Sequence, residues 1–147
     1  VGSNLPAQGV QDAGRGVESE AKALAQKAVV IGRDGRRSGP EFAKALAEGI
    51  QSVGLDVIDI GMVATPMVYF AAIELGTQCG VMVTGSHNPP EYNGLKMVVA
   101  GDAIYGDRIQ ALYQRIAEDR FDSSSGSCST HDISETYYAR MTSDVQI

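Results

Sequence analysis

Apolar positions along the chain follow two patterns, one typical of buried strands and one typical of amphipathic helices. Short apolar runs occupy residues 28–31, 57–60 and 80–83, and such runs are typical of strands that are buried on both faces of a parallel sheet. Segments with apolar residues at helical spacing follow the first two runs, at residues 38–54 and 65–76. This alternation of strands and helices predicts right-handed crossover units in a parallel sheet.

The first of these predicted helices carries signals for both of its ends. Ser38 and Glu41 stand three residues apart with Pro40 between them, the spacing of a capping box with a proline in the first turn. Gly54 follows the last apolar position and is the residue type that most often ends a helix. The pattern predicts that Ser38 caps this helix and that Gly54 ends it.

Three further elements follow from the same patterns. Good helix formers dominate residues 17–28, and apolar residues recur at helical spacing over residues 107–121, so both segments are predicted helices. Residues 95–99 form a fourth apolar run, a strand that could run in either direction. The predicted fold class is α/β, a mostly parallel sheet covered by helices in three layers, α/β/α.

The two ends of the chain and one internal segment lack these patterns. We predict an N-terminal arm without regular structure at residues 1–16, an α/β domain at 17–121 and a Ser- and Gly-rich linker at 122–132. Residues 133–147 place Tyr137, Tyr138 and Met141 in a helix-like arrangement. We interpret this last segment as the start of a second domain that the chain does not contain.

Composition narrows the classes of partner. The 147 residues carry a formal net charge of −6 and a pI near 4.8, which argues against nucleic acid or an anionic membrane as a partner. Cys79 and Cys128 lack the spacing of a metal site and are interpreted as free thiols. No signal-peptide pattern or membrane-length apolar run is present, so a cytoplasmic protein is expected.

The loop after the third predicted strand concentrates reactive side chains. Ligands of open parallel sheets bind at the carboxyl ends of the strands, and residues 84–96 leave such an end. The loop contains a hydroxyl, an imidazole, an amide and an ammonium group, carried by Ser86, His87, Asn88 and Lys96. These groups suit phosphoryl transfer, in which catalysis is mostly positioning and charge stabilisation.

Three segments of the chain resemble one known family. Residues 84–96, with Gly85 before the serine and Tyr92-Asn93-Gly94 near the end, closely resemble the phosphoserine loop of the α-D-phosphohexomutases. Residues 32–40 resemble the first strand-to-helix loop of that family, and residues 61–66, ahead of Tyr69, resemble the second. The details resemble the phosphomannomutase/phosphoglucomutase branch, and the resemblance implies the N-terminal domain of such an isomerase.

The resemblance also implies roles for single residues. Ser86 would hold the phosphate that is exchanged with a hexose phosphate through a hexose 1,6-bisphosphate, which also acts as activator, and its phosphate would bind Mg²⁺. Lys96 would act as general base and acid, and His87 would be catalytic beside them. Asn88, Asp34 and Arg36 would be substrate- or phosphate-binding residues around the loop.

Other parts of the family pattern are missing from this chain. Members of the family have four domains, and the aspartate triplet that binds Mg²⁺ lies in the second. The aspartates in the later part of this chain lack that spacing: Asp102, Asp107, Asp119 and Asp122. We therefore expect a chain that needs domains two to four, that is inactive alone, and that could self-associate through apolar faces those domains would cover.

Three alternatives stay open at this point. The chain could be a domain of a phosphoglucosamine mutase, although that branch more often has Ala where this chain has Gly85. It could be another phosphoryl enzyme, such as a phosphatase with a serine nucleophile, although it lacks clustered aspartates. It could also be a non-catalytic fragment. The preference between mannose and glucose phosphate is not encoded in these residues.

Overall fold

A six-stranded mixed sheet forms the centre of the molecule. The computed structural model describes residues 6–145. The strands are β1 (Ala28–Arg33), β2 (Asp56–Met62), β3 (Cys79–Val83), β4 (Leu95–Val99), β5 (Asp102–Ala103) and β6 (Cys128–Thr130). They lie in the order β5-β4-β3-β1-β2-β6. Strand β1 runs parallel to β2 and β3, β2 runs parallel to β6, and β4 runs antiparallel to β3 and β5.

Helices cover both faces of this sheet. They are α1 (Ala7–Gly16), α2 (Glu18–Ala23), α3 (Gly39–Ser52), α4 (Thr65–Glu74), α5 (Asp107–Ala117) and α6 (Ser134–Asp144). Apolar residues of the first three helices and α5 form one core cluster with the sheet, and those of α4 and the start of α6 form another. The predicted three-layer α/β/α fold is confirmed. Within residues 6–145, no helix is long and apolar enough to cross a membrane.

The central strands show why the apolar runs are continuous. Every residue of β3 is buried, as are the middle four of β1. Because successive side chains of a strand point to opposite faces, Val29 and Ile31 enter one core cluster while Val30 enters the other. A strand with a helix layer on each side therefore needs apolar residues at every position.

The prediction of an unstructured N-terminal arm is wrong for residues 7–16, which form α1. Residues 1–5 lie outside the described range. The glycines of this segment suggested a loop, but Gly14 of α1 and Gly49 of α3 let the two helices lie directly against each other. A Cβ atom on Gly49 would stand 2.0 Å from the carbonyl oxygen of Gln11, and one on Gly14 would stand 2.5 Å from that of Leu46. Glycine here serves close helix packing instead of flexibility.

The prediction of a linker over residues 122–132 is wrong for Cys128–Thr130, which form the edge strand β6. The hydroxyl and amide of Ser127 donate hydrogen bonds of 2.8 and 2.7 Å to Asp56, the first residue of β2. Composition alone missed this strand because its three side chains are all exposed and leave no apolar pattern.

The segment after β6 packs on the same sheet. Ile133 is buried in the second core cluster, and the Tyr137 ring meets the Phe70 ring edge-to-face with centroids 5.3 Å apart. Helix α6 therefore has a packing partner, α4, which the sequence pattern did not reveal. That residues 133–147 begin a second domain stays a prediction, and residues 146–147 lie outside the described range.

Candidate functional site

One edge of the sheet collects the polar side chains singled out by the sequence. Parallel strands β1, β2 and β3 end at this edge, and the antiparallel strand β4 begins there. A cavity of about 420 Å³ opens between these strand ends, lined in part by Asp34, Ala64, Thr65, Thr84, Ser86 and Lys96. The location fits the rule that open α/β sheets bind ligands at the carboxyl ends of their strands.

Ser86 is exposed at this cavity in an unusual backbone conformation. Its φ of 56° lies in the left-handed region, which is unfavourable for a residue with a Cβ atom. Its Oγ accepts a hydrogen bond from Nζ of Lys96 at 3.2 Å and lies 3.3 Å from Nδ1 of His87. The structure thus brings together the three residues predicted to be catalytic.

Arg36 lies beneath the loop, and its N–H groups donate hydrogen bonds to backbone carbonyls of the loop. Its Nε donates to Asp34 at 3.1 Å. One terminal nitrogen donates to the carbonyls of Pro89 and Tyr92 at 2.6 and 2.8 Å, and the other donates to those of Ser86 and Asn88 at 3.0 and 2.8 Å. A guanidinium group has five N–H donors, and all five are engaged within the protein.

Arg36 lies beside the loop, where it was predicted as a phosphate-binding residue, but its donors are all engaged by the protein itself. A guanidinium group whose donors are already bound to carbonyl and carboxylate oxygens has none left for an anion. Gly85 leaves room for the guanidinium group, since a Cβ atom at this position would stand 2.5 Å from Cζ of Arg36. The sequence placed Arg36 near the loop, but it did not show that the loop is folded around it.

Asp34 connects Arg36 to Ser86 through Thr84. The Thr84 hydroxyl donates to Oδ2 of Asp34 at 2.8 Å and accepts the Ser86 amide at 2.9 Å. The backbone amide of Arg36 donates to Oδ1 of Asp34 at 3.0 Å. Burial by itself would raise the pKa of Asp34, but the hydrogen bonds from Thr84 and Arg36 outweigh it and leave the pKa below its ordinary value. Asp34 thus anchors the loop as a carboxylate through Thr84 and Arg36.

The predicted capping role of Ser38 is wrong. Ser38 has helical backbone angles and makes no capping hydrogen bond; its Oγ accepts a bond of 2.9 Å from Nδ2 of the buried Asn93. Oδ1 of Asn93 in turn accepts the Gly94 amide at 2.9 Å. Ser38 still occupies the N-cap position of α3, but its hydroxyl ties the return of the loop to this helix and does not cap the helix backbone.

Sequence reasoning missed Thr84 and Asn93 as residues that support the loop. Both are buried, and a buried polar side chain needs hydrogen-bond partners. The signal available in the sequence was their position, directly after a continuous apolar strand and directly before a glycine. Asn88 differs from both, because it is exposed and borders a second cleft with Arg37 and Glu91.

The depressed pKa of Asp34 gives a testable pH dependence. A carboxyl group whose pKa is lower in the folded protein contributes stability above its ordinary pKa, and this contribution is lost as the pH falls through the folded-state value. Asp34→Asn is therefore expected to destabilise the protein at pH 7 and to destabilise it less at an acidic pH below the ordinary pKa of aspartate, where the carboxylate begins to be protonated. Urea unfolding at both pH values measures this, with the exposed Asp102→Asn as control. An equal loss at both pH values would contradict the role of the charge.

Known proteins match both the sequence and the structure. A sequence profile described as "Phosphoglucomutase/phosphomannomutase, alpha/beta/alpha domain I" matches residues 2–123. The chain is 45% identical over 145 residues to a phosphomannomutase/phosphoglucomutase of Pseudomonas aeruginosa PAO1, covering 99% of this chain and 31% of that protein. It is 40% identical over 149 residues to a phosphoglucomutase of Neisseria meningitidis, covering 100% of this chain and 32% of that protein.

A solved structure matches over the whole chain. A phosphoglucomutase/phosphomannomutase family protein of Burkholderia thailandensis aligns with a TM-score of 0.91 and 46% sequence identity, covering 100% of this chain and 34% of that chain. The present chain therefore spans about a third of the length of the relatives it matches.

Proposed function

This chain belongs to the phosphoglucomutase/phosphomannomutase family, as its α/β/α domain I, and we propose that Ser86 carries the phosphate that a longer enzyme transfers between C1 and C6 of a hexose phosphate. The observation that carries the proposal is the position of the Ser86 hydroxyl. It is exposed at the carboxyl edge of the sheet, with Nζ of Lys96 at 3.2 Å and Nδ1 of His87 at 3.3 Å. Exposure gives a substrate access, and the neighbouring amine and imidazole supply groups for proton transfer.

The proposed step begins with a phosphate on Ser86. A hydroxyl oxygen of the hexose phosphate attacks phosphorus, the bond between phosphorus and Oγ of Ser86 breaks, and a hexose 1,6-bisphosphate forms. The Lys96 ammonium donates a proton to the departing Oγ, and the resulting amine takes the proton of the attacking hydroxyl. After the bisphosphate reorients, the same steps in reverse return its other phosphate to Ser86. One protein group can serve both directions because Lys96 regains its proton in each.

His87 and Asn88 support this step in different ways. The imidazole of His87 lies close enough to Oγ of Ser86 to orient the hydroxyl, whereas the side chain of Asn88 lies at the exposed rim of the loop. In this proposal His87 orients Ser86 and the transferring phosphoryl group, and Asn88 contacts the substrate phosphate. Asp34 and Arg36 act only through the loop.

The fit of Mg²⁺ to this chain is partial. A phosphate on Ser86 would supply the oxygen ligands that Mg²⁺ prefers, but the described residues contain no group of three potential metal ligands. The Asp34 carboxylate is already engaged by Thr84 and Arg36. We therefore expect Ser86 to contribute a phosphate oxygen and the other ligands to come from the longer protein. Bound there, Mg²⁺ would offset negative charge on the transferring group.

The remaining parts of the proposal concern the longer protein. The relatives are about three times as long as this chain, and we propose that further domains bind the sugar, so that this chain alone does not turn over substrate. Its exposed aromatic side chains, which include Tyr105, Tyr113 and Tyr138, could support self-association in their absence. A cytoplasmic location remains part of the proposal, in keeping with two free thiols.

The test is to locate phosphate on the chain. The protein is incubated with a hexose 1,6-bisphosphate and Mg²⁺, and intact mass is followed by peptide mapping. We expect one added phosphate on the peptide that contains Ser86, and the same result for the matched control Ser123→Ala, which removes an exposed serine elsewhere. Phosphate on another residue would contradict the proposal. Absence of phosphate on the chain, together with its presence on Ser86 in the longer protein, would show that the other domains are needed for loading.

A further inference from the structure

Arg36 contacts no reacting group in the proposed reaction, yet it donates hydrogen bonds to four carbonyl groups of the Ser86 loop. We propose that Arg36 is a positioning residue that holds Ser86 in the left-handed conformation from which its hydroxyl reaches Lys96. This inference deepens the proposed function, and its activity readout rests on that function. Its structural readout does not, because the conformation of the loop can be measured without any phosphoryl transfer.

The hydrogen bonds around Ser86 form a closed ring. Arg36 donates to the Ser86 carbonyl at 3.0 Å and to Asp34 at 3.1 Å, Asp34 accepts from Thr84 at 2.8 Å, and Thr84 accepts the Ser86 amide at 2.9 Å. The peptide groups on both sides of Ser86 are thus fixed from the same guanidinium group. A serine in an unfavourable backbone region persists only where its surroundings over-determine it, and this ring supplies that constraint.

The shape of a guanidinium group suits this task. Its planar fork binds the carbonyls of Ser86, Asn88, Pro89 and Tyr92 at once, which ties together seven consecutive residues. A lysine ammonium is a compact charge on a flexible stem and cannot bind acceptors over that area in a fixed arrangement. Four carbonyl oxygens of the loop also point at the positive charge of Arg36, and this attraction favours the observed arrangement of the loop.

Amide hydrogen exchange measures the positioning directly. The amides of Ser86 and Asn88 donate to Thr84 and to the carbonyl of Gly85, so they are protected while the loop is held. We expect Arg36→Ala to exchange both amides about tenfold faster or more. Arg36→Lys is expected to resemble Arg36→Ala, and ethylguanidinium in solution is expected to restore protection to Arg36→Ala. The matched control is Arg37→Ala, which removes an exposed neighbouring charge.

A second variant tests the same idea with Arg36 in place. Gly85→Ala puts a Cβ atom 2.5 Å from Cζ of Arg36 and 2.5 Å from the Tyr92 carbonyl oxygen that Arg36 binds, so it is expected to break that contact and release the same amides while the charge of Arg36 is kept. This variant alters neither Arg36 nor Ser86, so the inference can still be tested if Arg36→Ala does not fold. If the amides stay protected in both variants, Arg36 does not position Ser86 and the inference is overturned.

The activity readout separates this inference from the proposed function. In the longer enzyme, we expect Arg36→Ala to lower kcat about 10- to 100-fold with little change in KM, because a misplaced reacting group costs rate and not substrate binding. Loss of amide protection with unchanged kcat would overturn the positioning role while leaving Ser86 as the phosphate carrier. If Ser86 of the unaltered protein takes no phosphate in any form, the proposed function fails, and the exchange data alone decide the role of Arg36.

Discussion

Replacing Ser86 with alanine is expected to abolish phosphate incorporation into the chain and to lower turnover of the longer enzyme by about 10⁴-fold or more. The expectation follows from the proposed covalent role: without Oγ, no bond to phosphorus can form, and the residual rate depends on binding alone. Ser86 is exposed and its side chain supports no core contact. The variant should therefore fold, which circular dichroism and thermal unfolding would verify.

Ser86→Gly provides the matched control for this prediction. Because φ at this position is 56°, glycine relieves a backbone conformation that costs a residue with a Cβ atom about 1 kcal/mol. The glycine variant is expected to be more stable than the alanine variant by about that amount and to be equally inactive. Phosphate on either variant, or turnover within tenfold of the unaltered enzyme, would contradict the assignment of Ser86.

Gly49→Ala is expected to destabilise the protein by about 3 kcal/mol, which corresponds to a decrease of roughly 6–12 °C in Tm. A Cβ atom at this position would stand 2.0 Å from the carbonyl oxygen of Gln11, so α1 would have to move away from α3. In an exposed helix the same substitution would stabilise by about 1 kcal/mol, because alanine has the higher helix propensity. The sign of the change therefore distinguishes close packing from propensity.

Thermal unfolding of Gly49→Ala measures this effect. Lys44→Ala is a suitable control because it lies on the same helix with its side chain 78% exposed, and a change within about 0.5 kcal/mol is expected. An increase in Tm for Gly49→Ala would show that α1 does not pack against α3 as described. It would also favour the prediction that residues 7–16 form a loose arm.

The fold was predictable where burial leaves a pattern in the sequence. The inner strands are apolar at every position because helices cover both faces of the sheet, and the helices between them show apolar residues at regular spacing. The pattern failed at α1, where glycine allows close packing against α3 but provides no apolar side chain that a pattern could show. It failed again at β6, whose three residues are all exposed and are held by backbone pairing with β2.

The candidate site was predictable in its members but not in their connections. Ser86, His87 and Lys96 could be named from the order of residues in one loop, and the structure brings them together. Arg36 was placed beside the loop as a phosphate-binding residue on the strength of the family resemblance. Its actual partners are backbone carbonyls that lie more than fifty positions away along the chain, and main-chain groups leave no mark in a sequence.

Strand β6 also bears on how the molecule avoids aggregation. The strand covers the outer edge of β2, and an uncovered edge offers unpaired N–H and C=O groups to a strand of another molecule. A shortened protein ending at residue 123, where the match to the family profile ends, would keep every residue of the Ser86 loop but would leave β2 open. Residues 128–130 thus replace the seven-residue edge of β2 with an edge strand of three residues, and so short an edge offers few backbone groups for pairing with another molecule.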